Sequence, residues 1–371
     1  MSNFSVTSAV VREPKGKFSL EELELDEIRP NEVRVRVVAV GLCHTDIAMR
    51  DGVYPIPMPV VLGHEGGGIV EAVGSNVTRV SAGDHVVMSV NYCGHCQQCL
   101  TGHQAYCENG FPEVFGGRRT LDGTTSLKSR SGEVVSSHFF GQSSFSTYAN
   151  VVESSLVPVD RELPLEQIAF FGCGMQTGAG SILNELRPPA GSSVAISGTG
   201  AVGHAAVMAA HASGCTTIIA IDLHDNRVAL AQEVGATHGI HGRSEEATEE
   251  LLRITRGRGV DYILDTTGSM DALGAMAGAL AIRGTLAHVG AAAPGSTASF
   301  EVGVSLLKGW TFKTIVQGSS VPQVFIPRLI ELWKQGGFPV EKLVKTYAFD
   351  DINKAFADSE SGKILKPLIV F

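Results

Sequence analysis

Residues 192–214 read SSVAISGTGAVGHAAVMAAHASG. The first seven form a short apolar run of strand type. The last fourteen carry helical spacing and stop on a glycine. Between them Gly198, Gly200 and Gly203 form G-x-G-x-x-G. That pattern is weak alone, but informative where it leaves a strand and opens a helix. Gly198 permits the tight turn, and Gly200 has no side chain to block a pyrophosphate. Gly203 lets helix and strand approach. With Ala201 and Val202, these residues present the N–H groups and partial positive charge of a helix start to a phosphate. An acidic residue belongs at the end of the next strand, about 20 residues on. TTIIAID supplies Asp222 there. Its carboxylate accepts ribose hydroxyls and repels a 2′-phosphate, which favours NAD over NADP. Arg227 lies close enough in sequence to serve the same ribose or to sit on a solvated helix face.

Outward from this stretch the alternation continues. HDNRVALAQEVGATHGI reads as a helix capped by Asp225, a glycine stop and a strand; VDYILDTTG and GTLAHVG add two more strands. Strand and helix alternating at this pace predict an α/β, doubly wound parallel sheet. The first 150 residues differ. EVRVRVVAVGLC alternates charged and apolar residues, and GGGIVEAVG and GDHVVMSV follow glycine turns. Many short strands with such turns predict a barrel or partly open antiparallel sheet. LKPLIVF at the end reads as a closing strand. A chain of 371 residues is long for one core and predicts two domains.

Composition narrows the function classes. The net charge is −9 and no long Lys or Arg run occurs, so no nucleic-acid partner is expected. The N-terminal residues lack the pattern of a secretory leader, and no apolar run is long enough to span a membrane. A cytoplasmic setting is expected, where clustered thiols bind metal more often than they form disulfides.

Four of the seven cysteines lie in CGHCQQCLTGHQAYC: Cys93, Cys96, Cys99 and Cys107. Four thiolates close a tetrahedral zinc site and leave no position for water or substrate, which marks a structural metal. An iron–sulfur cluster fits less well, because the last gap is seven residues and the proline of the common bacterial spacing is missing. Cys43 in GLCHTD, His64 in GHEGGG and Cys173 in FGCGMQTGAG remain. Two thiolates and one imidazole leave a fourth position open, the catalytic zinc pattern. Spacing alone does not prove their convergence. Cys215 reads as a core residue.

GLCHTD, GHEGGGIVEAVGSNV, the four-cysteine lobe, GCGMQTGAG and SGTGAVG together resemble the zinc-dependent alcohol dehydrogenases of the medium-chain superfamily, over essentially the whole chain. GCGMQTGAG and YAFDDINKAFADSESGKILKPLIVF most resemble the benzyl-alcohol (aryl-alcohol) branch. The resemblance implies a GroES-like β-barrel catalytic domain from residues 1–175 and 317–371, and a Rossmann NAD-binding domain from 176–316. It implies two zinc ions per chain, with Cys43, His64 and Cys173 on the catalytic one. It makes Glu65 a carboxylate that can approach that metal, Asp46 the partner of the zinc-bound His, and Thr45 the hydroxyl beside the alcohol. His44 and Lys366 match cationic contacts to the pyrophosphate. The proton relay often ends on a His where this chain has Ala48. The implied reaction passes a hydride between a primary alcohol, benzylic or allylic, and NAD to give the aldehyde. Tyr54, Phe140 and Ile315 are apolar wall residues by the same analogy. Glutathione-linked formaldehyde dehydrogenase and secondary-alcohol dehydrogenase are rivals on this fold; a redox-sensing zinc and nucleotide binder is the non-enzymatic one. GWTFKTIV is an edge strand suited to pairing two copies, as a homodimer or within a homotetramer.

Overall fold

The computed structural model describes residues 4–243 and 246–371. The first three residues, part of the N-terminal stretch read for a leader, lie outside these. The chain forms two compact units. One runs to Cys173 and also takes Val321–Ile330 and Val340–Phe371; the other is Gly174–Ser320 with Glu331–Pro339. The division read from the sequence lies within a few residues of the Cys173 and Ser320 boundaries and does not foresee the excursion of Glu331–Pro339.

Among the described residues the second unit holds six parallel strands: β1 (Ser193–Ser197), β2 (Thr217–Asp222), β3 (His238–His241), β4 (Val260–Asp265), β5 (Leu280–His288) and β6 (Thr311–Thr314). Their order is 3-2-1-4-5-6, that of a dinucleotide-binding sheet with its crevice where the order reverses, between β1 and β4. β1 is buried at every residue, as expected for a strand covered on both faces. The helix Ala201–Ala212 follows it, with Gly200 at its N-cap. Gly198 adopts φ +82°, a conformation costly to any residue with a Cβ. A Cβ on Gly203 would collide with the Gly198 carbonyl, so both glycines are required by the turn. The next helix is Asp225–Glu233, with His224 rather than Asp225 as its N-cap residue. Asp225 instead sits in the first turn, where a negative charge meets the positive end of the helix dipole.

The first unit is built on mainly antiparallel sheets, one of five strands and one of seven. Glu32–Gly41 is central to the larger one. It pairs antiparallel with Gly66–Val73, Tyr148–Val152 and Lys366–Val370. Val33, Val35 and Val37 point into the core while Arg34 and Arg36 point away, the period-2 pattern seen in the sequence. The closing strand Lys366–Val370 also lies parallel to Val344–Ala348. These pairings bring residues from both ends of the chain beside Cys43 and His64. No helix among the described residues is long and apolar enough to cross a membrane.

Candidate active site

The central strand Glu32–Gly41 delivers Cys43 to the N-cap of the short helix His44–Arg50. Asp46, at the third position of that helix, is fully buried. One carboxylate oxygen accepts the Cys43 N–H at 3.0 Å, closing the helix cap. The other accepts the Gly63 N–H at 3.1 Å and bonds His64 Nδ1 at 3.0 Å. One side chain thus caps the helix, holds the GHEGGG backbone and sets the imidazole. A carboxylate has no proton to give, so Nδ1 carries its hydrogen, and Nε2 is the nitrogen left to hold a cation, a proton or a metal ion. Nε2 is buried and has no hydrogen-bond partner among the described residues.

Cys173 follows the turn Ala169–Gly172, whose last carbonyl accepts the Ser89 hydroxyl at 2.7 Å. The donor atoms of Cys43, His64, Glu65 and Cys173 all lie within 4.8 Å of one another. Hydrogen bonding from Cys173 holds the Cys43 thiol well below its usual range, against burial; the same bond, with burial, drives Cys173 upward. Burial pulls His64 down, but Asp46 and Cys43 together push it up to about 10. The surroundings of Nε2 therefore favour a cation. Two thiols, an imidazole nitrogen without a hydrogen-bond partner and a nearby carboxylate fit zinc in donor type, and zinc would take the place of the proton there.

Glu65 is raised by burial, with the Lys366 charge opposing. Lys366 Nζ reaches Glu65 Oε2 at 2.5 Å and the Leu42 carbonyl at 3.0 Å, and the residue is 2% exposed. Lys366, expected as a phosphate contact, is buried here against Glu65 and the Leu42 carbonyl. Its ammonium is already committed to a buried carboxylate, and an uncompensated charge on either partner would be costly there. His44 is exposed as the first residue of its helix. Thr45 is half-buried, and its hydroxyl oxygen accepts from the Cys43 thiol at 3.7 Å. Ala48, one turn on, is buried.

Sequence reading, which names Phe140 and Tyr54 only as apolar wall residues by analogy, misses Gln142, Phe139 and Phe115 around His64. Gln142 donates to the His64 carbonyl at 3.0 Å and to that of Ser89 at 3.2 Å, and its own oxygen accepts the Gly66 N–H at 3.3 Å. Phe140 stacks on the His64 ring with centroids 4.3 Å apart, and Phe139 meets it edge-on at 5.3 Å. Phe115 packs on Phe140 at 5.6 Å and stacks with Tyr54 at 5.7 Å. The run HFFGQSS carries an aromatic pair followed by polar residues, which is the only local signal for this wall.

Cys93, Cys96, Cys99 and Cys107 also bring their sulfurs within 4.8 Å of one another, as free thiols. Backbone N–H groups point at them: Cys93 to Cys107 Sγ at 3.4 Å, Cys99 to Cys96 Sγ at 3.4 Å and Glu108 to Cys96 Sγ at 3.5 Å. Such donors stabilise thiolates. Burial opposes ionisation of Cys93, yet bonds from Asn109, His95 and Cys96 bring it down to about 6. A set of four sulfurs with no other donor atom fits a closed zinc site.

In the second unit no side chain caps the helix Ala201–Ala212, which leaves its first N–H groups to a ligand. Asp222 ends β2, and its carboxylate accepts the Thr199 N–H at 2.7 Å. Arg227 stands 3.9 Å from it. Ile315 is buried just beyond β6.

With this geometry the comparisons agree. Residues 29–161 match the family described as "Alcohol dehydrogenase GroES-like domain", and residues 201–335 match "Zinc-binding dehydrogenase". The chain belongs to the zinc-binding alcohol dehydrogenases of the medium-chain superfamily, enzymes of small-molecule alcohols that use a nicotinamide cofactor. It is similar to geraniol dehydrogenase of Castellaniella defragrans, at 40% identity over 99% of this chain and 98% of that protein. Among solved structures it is similar to an alcohol dehydrogenase zinc-binding domain protein from Burkholderia ambifaria (49% identity, TM-score 0.97, all of both chains). It also matches benzyl alcohol dehydrogenase from Acinetobacter calcoaceticus (44% identity, TM-score 0.95, 99% of each chain).

Proposed function

We propose that this enzyme oxidises primary benzylic or allylic alcohols to aldehydes with NAD, using a zinc ion held by Cys43, His64 and Cys173. The carrying observation is the partnerless, buried His64 Nε2 among converging thiols, with Phe139 and Phe140 packed on its ring. When bound there, zinc supplies Lewis-acid polarisation that lowers the pKa of an alcohol hydroxyl. Asp46 fixes the His64 tautomer. Thr45 would accept the alcohol proton at its Oγ1 while its own hydroxyl proton passes to water, since Ala48 offers no group to continue the relay. When bound, the nicotinamide would supply the acceptor for the hydride that leaves the alcohol carbon. Glu65, paired with Lys366, is the carboxylate within reach of the metal ligands. Phe140, Phe115 and Tyr54 favour a flat, unsaturated substrate by ring packing, and the names of the two relatives acting on geraniol and benzyl alcohol lean the same way.

A second zinc at Cys93, Cys96, Cys99 and Cys107 is structural in this reading. Gly198, Gly200, Ala201, Val202, Gly203, Asp222 and Arg227 hold the adenosine and phosphate half of the cofactor, and His44 is a further phosphate contact. Val302, Leu306 and Leu307 are exposed on one short helix, and Ile282 is exposed on β5, next to the edge strand β6. That apolar surface supports pairing of two copies through the nucleotide-binding units. An alcohol panel with NAD and NADP tests the reading. Benzyl alcohol and geraniol should exceed ethanol and 2-propanol in kcat/KM, with NAD preferred. Preference for hydroxymethylglutathione would transfer the chain to the formaldehyde branch, and absence of turnover in zinc-replete protein would favour a sensor.

A further inference from the structure

We propose that His224 is a specificity-determining residue of the nucleotide site, its side chain occupying the Asp222 oxygen that a ribose hydroxyl of NAD needs. The inference rests on the NAD reading above. A carboxylate offers about four lone-pair positions. At Asp222 all four meet donors of the protein itself. Oδ2 accepts the Thr199 N–H at 2.7 Å and the Thr199 hydroxyl at 3.1 Å. Oδ1 accepts the His224 N–H at 3.0 Å and bonds the imidazole Nδ1 at 2.9 Å. Arg227 Nη1, 3.9 Å from Oδ2, adds charge without a hydrogen bond.

These donors differ in their freedom to leave. Thr199 is fully buried within the glycine turn, so its two bonds are part of that turn. The His224 backbone is fixed as the N-cap of the helix Asp225–Glu233. The imidazole alone is free to turn outward, with its side chain 43% exposed against 6% for Asp222. A ribose O–H and the imidazole N–H therefore compete for Oδ1. Whatever fraction of the enzyme keeps the imidazole in place binds NAD less well, and the apparent affinity falls by that fraction.

NADP responds differently. Its 2′-phosphate replaces one donating hydroxyl with a negative group, which gains little from a freed carboxylate oxygen. Beside Asp222, Arg227 carries positive charge, its Nη1 3.9 Å from Oδ2. The imidazole thus works against NAD and leaves NADP nearly untouched, narrowing the discrimination that Asp222 alone would impose.

The test is a fluorescence titration of zinc-loaded enzyme with NADH and NADPH, for the native chain, His224→Ala and His224→Asn, with folding checked by circular dichroism. Asn retains a side-chain N–H able to reach Asp222. His224→Ala should bind NADH about three- to tenfold more tightly, the size of one half-exposed hydrogen bond, and NADPH no better or worse. His224→Asn should stay close to the native value. Unchanged or weaker NADH binding in His224→Ala overturns the proposal, and equal weakening in both variants would mean that His224 contacts the cofactor directly. A native enzyme that prefers NADPH would instead refute the NAD reading, whatever the variants do.

Discussion

Replacing Asp46 by Asn removes one charge, keeps the shape and leaves too few acceptors for the donors around it. The carboxylate serves three donors: Cys43 N–H on one oxygen, and Gly63 N–H with His64 Nδ1 on the other. An amide has one oxygen. If that oxygen faces Gly63 and His64, the amide NH₂ confronts the Cys43 N–H. If it faces Cys43, the NH₂ confronts both of the others. The first arrangement is the cheaper and leaves one buried N–H without a partner, at a cost of about 1–3 kcal/mol. In the second, His64 escapes by moving its proton to Nε2, which removes the lone pair a metal needs. Loss of the carboxylate also weakens the pull that raises His64 and favours positive charge at Nε2. Changes to such partners of a ligating His typically cost ten- to a hundredfold in metal affinity, about 1.4–2.8 kcal/mol. Chelator competition on the zinc-loaded protein measures this directly, with total zinc counted by mass spectrometry. One zinc per chain should become easier to extract in Asp46→Asn while the other does not change. Equal retention of both ions would refute the role given to Asp46 and the placement of a metal on His64.

Three further outcomes are expected. Burial alone would raise Glu32, but hydrogen bonds from His138 and Arg119 bring it down to about 2. A carboxylate depressed on folding stabilises above its unfolded pKa, near 4.3, and that contribution of up to about 3 kcal/mol fades as pH falls from about 4.5 to 2. In melting curves Glu32→Gln should be less stable than the native chain at neutral pH, with the gap closing toward pH 2–3; a constant gap contradicts the assignment. Cys99→Ser should lose the zinc of the four-cysteine lobe and melt earlier while keeping the other zinc, as metal counting and calorimetry will show. Phe140→Leu keeps apolar bulk but loses the ring, so the kcat/KM ratio of benzyl alcohol to 1-butanol should fall about tenfold.

The glycine turn, the strands around it and Asp222 were legible because each is a local pattern: a run, a spacing, a residue type at a strand end. The four-cysteine lobe was legible for the same reason. Cys43, His64 and Cys173 are spread over the first unit, and nothing in their spacing brings them together. Their context among glycines and the family resemblance carried that reading. Lys366 shows what a local reading leaves out: its ammonium bonds Glu65, 301 residues away, and no local feature signals that pairing. The network in which Arg119 bonds both Asp26 and Glu32 while His138 bonds Glu32 was invisible for the same reason. Arg119 and His138 are 87 and 106 residues from Glu32 and meet it only once the sheets form. Likewise His288, at the end of β5, bonds the buried Asp265 of β4 at 2.8 Å through a strand pairing that a lone His and Asp do not announce. Asp225 was misread as a cap because acidic residues favour both the cap and the first turn, and only the backbone separates the two.

Everything proposed for the chemistry depends on a metal at the converging thiols and His64. Zinc-edge anomalous diffraction from crystals of the holoenzyme tests this most directly. The account requires two peaks per chain, one bonded to four sulfurs and one to Cys43, Cys173 and His64 Nε2, with Zn–S near about 2.3 Å and Zn–N near about 2.0 Å. A single peak in the lobe, or Cys43, His64 and Cys173 turned away from a common centre in zinc-replete crystals, would contradict it.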